Sequence, residues 1–98
     1  MATFISLVSW TDQGVRNYKD TTQRAKDFGA AAEALGAKLR DIHWTVGPYD
    51  LVVVLDAPDD ETATAALLKV SGVGNVRTVS MRAYGSEEMD AIIAKAAG

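Results

Sequence analysis

The sequence predicts an α+β fold: a ferredoxin-like βαββαβ sandwich with an antiparallel four-stranded sheet and one further helix at the C-terminal end. Three observations lead there. Four short segments rich in β-branched and aromatic residues read as strands. Between the first and second of these, and again between the third and fourth, apolar residues recur at steps of three and four, as on a helix. Glycine, proline and acidic residues mark the junctions. Right-handed crossovers then give the spatial order 4-1-3-2, with both crossover helices on one face of the sheet. At 98 residues and 10.4 kDa the chain allows one domain, residues 1–98.

Thr3–Trp10 is the first strand, broken by Thr11-Asp12-Gln13-Gly14. Val15, Tyr18, Thr22, Ala25, Phe28, Ala32 and Leu35 then keep a helical period. Asp20 and Gln23 have capping-box spacing, which starts the regular helix near Thr21, and Gly36 stops it. Ala37–Val46 is the second strand, and Gly47-Pro48-Tyr49-Asp50 turns it tightly into the third, Leu51–Ala57. Pro58 ends that strand. Asp59 is placed to cap the next helix, with Asp60 and Glu61 at its positive dipole end. Ala63, Ala66, Leu67 and Val70 form the buried stripe of this helix, and Gly72 and Gly74 end it. Asn75–Tyr84 alternates as a fourth strand. Ser86 is placed to cap a last helix, which gathers Met89, Ile92, Ile93 and Ala96 on one side.

The strand faces carry the main inference. A four-residue turn sets Val46 opposite Leu51 and Trp44 opposite Val53, joining Ile42, Trp44, Val46, Leu51, Val53 and Leu55 into a core face. Val52 and Val54 then point the other way, beside His43 and Thr45. The first strand is apolar on both sides as well, with Ile5 and Leu7 against Phe4, Val8 and Trp10. One chain has helices for only one side of this sheet, and soluble monomers rarely leave a large apolar patch bare. The expectation is a homo-oligomer, a dimer or higher, paired through the open sheet face.

Composition excludes several classes of function. Ten basic residues against thirteen acidic give a net charge of −3, without the basic excess that general nucleic-acid binding needs. No cysteine is present, which removes disulfides, cysteine-based metal sites and a thiol nucleophile. The longest apolar run, Leu51–Leu55, is far short of the roughly 20 residues that span a bilayer, and the N-terminus lacks a signal-peptide pattern. A cytoplasmic protein with no membrane partner is expected. Gly72-Val73-Gly74-Asn75 precedes a strand where a dinucleotide fingerprint follows one. The serines stand outside any Gly-x-Ser-x-Gly elbow. No spacing of His, Asp and Glu fits a metal site, so neither cofactor nor metal is expected.

A few residues carry chemistry. His43, the only histidine, is suited to proton transfer near neutral pH, or simply to one hydrogen bond on a half-buried strand. Tyr49 and Asp50 could meet a ligand at a strand entrance; structurally, an aspartate in a turn bonds nearby amides and a tyrosine packs with its hydroxyl in water. Arg82 could bind an anion. With Val79 and Met81 toward the core, Arg82, Thr78, Ser80 and Tyr84 share the side of His43. Trp10 completes the candidate ligand-binding set of His43, Tyr49, Asp50, Arg82 and Trp10.

With these residues in view, the sequence resembles the GYD-domain family through Gly47, Tyr49 and Asp50 within Thr45-Val46-Gly47-Pro48-Tyr49-Asp50-Leu51-Val52. Thr11–Val15, Arg24, Ala57–Glu61, Gly74–Thr78 and Arg82-Ala83-Tyr84 are similar too, so the resemblance runs from about Phe4 to about Tyr84. It implies a small α+β domain whose layout is that of the dimeric α/β-barrel proteins, and it brings no catalytic residue. The expected function is an oligomeric small-molecule-binding or regulatory domain. The alternative is a small cofactor-independent enzyme, monooxygenase- or isomerase-like, in which His43 moves a proton while Arg82 or Tyr49 steadies negative charge. That alternative requires the His43 ring to line a closed pocket.

Overall fold

The computed structural model describes residues 1–98. In chain order the elements are β1 (Ala2–Trp10), α1 (Asp12–Arg16), a 3-10 turn (Tyr18–Asp20), α2 (Thr21–Ala34), β2 (Lys38–Trp44), β3 (Leu51–Ala57), α3 (Asp60–Gly72), β4 (Val76–Ala83) and α4 (Ser86–Ala97). All strand pairs are antiparallel, in the order β2-β3-β1-β4, which is the expected 4-1-3-2 read from the other edge.

Register assigns the two faces. Phe4, Ser6 and Val8 of β1 stand opposite Leu55, Val53 and Leu51 of β3, and all six are buried beneath α2 and α3. Ala32 of α2 and Ala63 and Ala66 of α3 close over them, with Phe28, Leu39, Ile42 and Val70 partly buried around the edge. Leu55 is fully buried, a transfer worth about 1.5–3 kcal/mol. The alternate residues of β1 and β3 lie on the other face, which no helix covers: Ile5 pairs with Val54 and Leu7 with Val52.

Three local expectations change. First, β2 stops at Trp44, which pairs with Leu51, so residues 45–50 form a loop and Val46 is fully exposed. A bulge at Arg40 lets Leu39 and Ile42 both turn toward the helices, which an unbroken strand would forbid. Second, β4 is turned over. Thr78, Ser80 and Arg82 pair with Val8, Ser6 and Phe4 on the helix side, while Val79 and Met81 pair with Leu7 and Ile5 on the open side, 52% and 45% exposed. The Ser6 and Ser80 hydroxyls, 2.7 Å apart, satisfy each other on the helix side. Third, two caps differ. The 3-10 turn leads into α2, leaving Asp20 outside the extended conformation a capping side chain uses, and Gln23 bonds Asp27 instead. Gly85, not Ser86, is the cap of α4, and its amide donates to Glu88 Oε1 at 3.2 Å. Asp59 does cap α3, accepting the Thr62 amide at 2.7 Å.

The last helix stands apart. No residue of α4 is buried, Met89 and Ile93 are exposed, and the helix has no substantial packing against another element, which stretches the molecule to 52 Å. Arg82 sets its direction: the guanidinium lies 4.5 Å from the Tyr84 ring centre, 5.7 Å from that of Phe4, and 3.6 Å from a Glu88 carboxylate oxygen.

Candidate functional site

The Gly-Pro-Tyr-Asp segment is held in place from both sides. Gly47 has φ +143°, a conformation open to glycine and strained for other residues. The Thr45 amide donates to the Asp50 carbonyl at 2.8 Å and the Thr45 hydroxyl to the Tyr49 carbonyl at 2.7 Å, which closes the loop. The Asp50 amide donates to the Val8 carbonyl at 2.8 Å, and Asp50 Oδ2 accepts the Trp10 amide at 2.8 Å. The carboxylate thereby takes the place of one backbone acceptor for the Trp10 amide beyond Leu51, and with the Asp50 amide on Val8 it ties the loop to the end of β1. Tyr49 is half-buried, and its hydroxyl makes no hydrogen bond within the chain. The Trp10 indole N–H is buried without a partner.

The other candidates lie elsewhere. His43 is on the open face, opposite Val52; its ring is 68% exposed and its contact is Asp41 Oδ2, 3.1 Å from Nε2. Arg82 is on the helix side of the opposite edge strand, where it donates to the Thr3 and Ala83 carbonyls. Sequence reasoning put Arg82 and His43 on one side, and the flip of β4 separates them. No three His, Asp or Glu side chains cluster as a metal site would require.

Two surfaces stand out. The first is the open face, where Ile5 and Leu7 of β1, Val52 and Val54 of β3, and Val79 and Met81 of β4 form one apolar strip. An ion pair borders it: Arg40 donates to Asp56 Oδ2 through Nε at 2.8 Å and to Thr3 Oγ1 at 2.9 Å, and Thr3 donates to Asp56 Oδ1 at 2.8 Å. Hydrogen bonding from Arg40, opposed by desolvation and helped by Thr3, holds the Asp56 carboxyl below its ordinary range.

The second is a cleft of about 330 Å³ between α2, α3 and the helix side of the sheet. Val8, Leu51, Val53 and Val76 floor it, with Ala25, Phe28 and Ala31 of α2 on one wall and Leu67 and Val70 of α3 on the other. None of His43, Tyr49, Asp50, Arg82 and Trp10 lines it. Sequence reasoning missed this cleft. Its signal is the small side chain of Ala25 and Ala31, too short to close the gap that the helical stripe implies.

A clasp holds one end of the cleft. Thr11 caps α1, accepting the Gly14 amide at 3.1 Å, and donates through its hydroxyl to the Gly74 carbonyl at 2.6 Å. Its amide donates to the Asn75 carbonyl at 3.1 Å, while Gln13 Nε2 reaches the Val73 carbonyl and Asn75 Oδ1. Gly14 packs so closely here that a Cβ would sit 1.9 Å from the Asn75 carbonyl oxygen.

Fold and loop together define a small α+β domain with a stitched signature turn, one helix-free apolar face and one apolar cleft. The family model described as the GYD domain matches residues 4–93, and the chain belongs to that family. A relative from Thermus thermophilus, named "Glutamine synthetase and cystathionine beta-lyase binding protein", is 32% identical over 84 residues, which is 85% of this chain and 88% of that protein. The crystal structure of TTHA0845, also from Thermus thermophilus, superposes with a TM-score of 0.57 at 22% identity, over 88% of this chain and 96% of that one. An unknown protein from Galdieria sulphuraria gives 0.52 at 16% identity, over 86% of this chain and 45% of that one. These two structural likenesses concern the fold alone.

Proposed function

We propose that the chain is a regulatory binding domain that pairs with a second copy through its open sheet face and acts by docking on a partner enzyme. The observation that carries the pairing is the strip of Ile5, Leu7, Val52, Val54, Val79 and Met81, which no element of the chain covers. An uncovered apolar strip of this kind, running across β3, β1 and the edge strand β4, is stabilised by an identical strip related by two-fold symmetry. The docking role is supported by the relative whose name describes binding to two enzymes, at an identity that covers most of both chains. The rival reading, proton transfer by His43, gains nothing from the geometry, since that ring stands in solvent away from the cleft.

Light scattering behind a sizing column tests the pairing. The expected mass at micromolar concentration is at least twice 10.4 kDa, and Val54→Lys, placed mid-strip, returns the chain to one copy. A single copy for the unaltered chain at high micromolar concentration overturns it. Titration against purified glutamine synthetase and cystathionine β-lyase tests the docking, with an affinity that is lost when neither enzyme is folded. Absence of binding to both enzymes removes the support the relative gives.

A further inference from the structure

We propose that the cleft between α2, α3 and the sheet binds a small apolar molecule carrying one anionic group. Its volume of about 330 Å³ lies at the small end of the roughly 300–1,000 Å³ of ordinary ligand pockets. Its walls are the apolar side chains of a core that the helices leave partly open, because Ala25 and Ala31 face a floor of Val8, Leu51 and Val53. Water against such walls is costly, and an apolar guest displaces it.

The cleft is built rather than accidental. Among the lining residues, the Arg24 guanidinium donates to the Asn17 carbonyl at 2.5 Å and the Gly14 carbonyl at 3.3 Å, and Thr21 Oγ1 accepts the indole N–H of Trp44, which lies outside the cleft, at 2.9 Å. These bonds, with the clasp at Gly74 and Asn75, fix the N-terminal end of α2 and the C-terminal end of α3, so the opening between them is preorganised.

Charge gives the ligand its second feature. Arg24 and Lys69 both line the cleft and neither forms an ion pair within the chain, while Asp27 is the one acidic residue there and takes a hydrogen bond from Gln23. The lining is thus net positive in a chain whose net charge is −3. The Thr78 hydroxyl, half-buried on the cleft floor, has no partner in the chain and adds a free donor. A cationic rim over an apolar floor selects a carboxylate or similar anion on an apolar body. The cleft is on the helix side of the sheet, opposite the proposed pairing face, so the two proposals stand separately.

The test uses the full chain with decanoate and decanol as probes, below the micellar range, followed by calorimetry and by the fluorescence of the two tryptophans. One decanoate per chain is expected to bind saturably, about tenfold more tightly than decanol. Lys69→Gln removes that difference and leaves decanol binding as it was. Ala31→Leu fills the cleft and abolishes binding of both probes without lowering Tm; Ala25→Leu serves the same purpose from the same wall, nearer the start of α2, should the first variant fail to fold. Lack of saturation, or binding that persists in a folded cavity-filled variant, overturns the proposal. So does binding that appears only in an Ile93→Glu chain, since the cleft is then the seat of α4 from a second copy. Light scattering on the same samples reads the pairing independently, so either proposal can fail while the other holds.

Discussion

The Asp50 carboxylate accepts the backbone amide of Trp10 at 2.8 Å across 40 residues of sequence. Together with the Asp50 amide on Val8, this makes the signature aspartate a stitch between the β2–β3 loop and the end of β1. A ligand-binding role for that side chain would need it free, and here one carboxylate oxygen is already engaged with the backbone.

Asp50→Ala is therefore expected to destabilise the chain by about 2 kcal/mol, the ordinary cost of losing a hydrogen bond to a charged acceptor. Asp50→Asn, which keeps an acceptor oxygen, costs less. Tyr49→Phe stays within about 0.5 kcal/mol, because the hydroxyl has no partner to lose. Urea unfolding of the three variants checks this order. Equal losses for Tyr49→Phe and Asp50→Ala would show that the stitch is not what the signature supplies.

Gly14→Ala tests the clasp. The new methyl would lie 1.9 Å from the Asn75 carbonyl oxygen, and that oxygen belongs to backbone that Thr11 holds through its amide. Neither side can yield without losing hydrogen bonds, so the expected cost is about 3 kcal/mol, at the upper end of overpacking penalties. Gly72→Ala, where a Cβ meets nothing within 4 Å, is the control and stays near neutral or stabilises slightly. Thermal unfolding of both variants gives the comparison.

Acid stability follows from two carboxylates. Asp56 is lowered by Arg40 and Thr3, and Asp59 by hydrogen bonding from Thr62 at the start of α3. Both are depressed in the folded chain, so each contributes stability that is fully present above the unfolded carboxylate value. Each contribution is lost as pH falls through the lower folded value. Stability measured by urea titration should thus be flat near neutrality and decline below about pH 4. Arg40→Met and Thr62→Val each make that decline shallower; an unchanged acid limb in both variants would mean other groups govern it.

The periodic elements were legible in the sequence because each is fixed locally. Leu51–Ala57 lies between a loop and Pro58, and Asp59 begins α3 where an acidic cap and the Ala63–Val70 stripe coincide. What alternation could not supply was sign. On β4, Val79 and Met81 mark one face and Thr78, Ser80 and Arg82 the other, and apolarity alone assigns the first set to the core. In the folded chain the helices leave the edge by Ser80 uncovered, Arg82 settles over Phe4 and Tyr84, and the apolar pair joins the open strip instead. The bulge at Arg40 was equally hidden, since one extra residue leaves no mark on composition. The clasp between Thr11–Gly14 and Val73–Asn75 spans about 60 residues and rests mainly on backbone carbonyls, to which side-chain patterns are blind, with one bond to the Asn75 side chain.

Arg82 offers a last test, because it joins the body of the domain to α4. Its guanidinium donates to the carbonyls of Thr3 and Ala83, lies over Phe4 and Tyr84, and approaches Glu88 in the first turn of the helix. A helix of this length with so little packed against it is marginal in water, so its order depends on such anchors. Arg82→Met keeps the aliphatic stem over Phe4 and removes the charge. The expected result is a loss of about 1–2 kcal/mol in global stability, from the two carbonyl bonds. A larger fractional loss of amide exchange protection is expected over residues 89–97 than over β1 or β3. Glu88→Gln, which removes only a partly exposed charge, costs about 0.5 kcal/mol or less. Protection in α4 that survives Arg82→Met unchanged would mean that the helix is held by something other than this anchor, and a concentration-dependent Tm in the same variant would identify that support as a second copy of the chain.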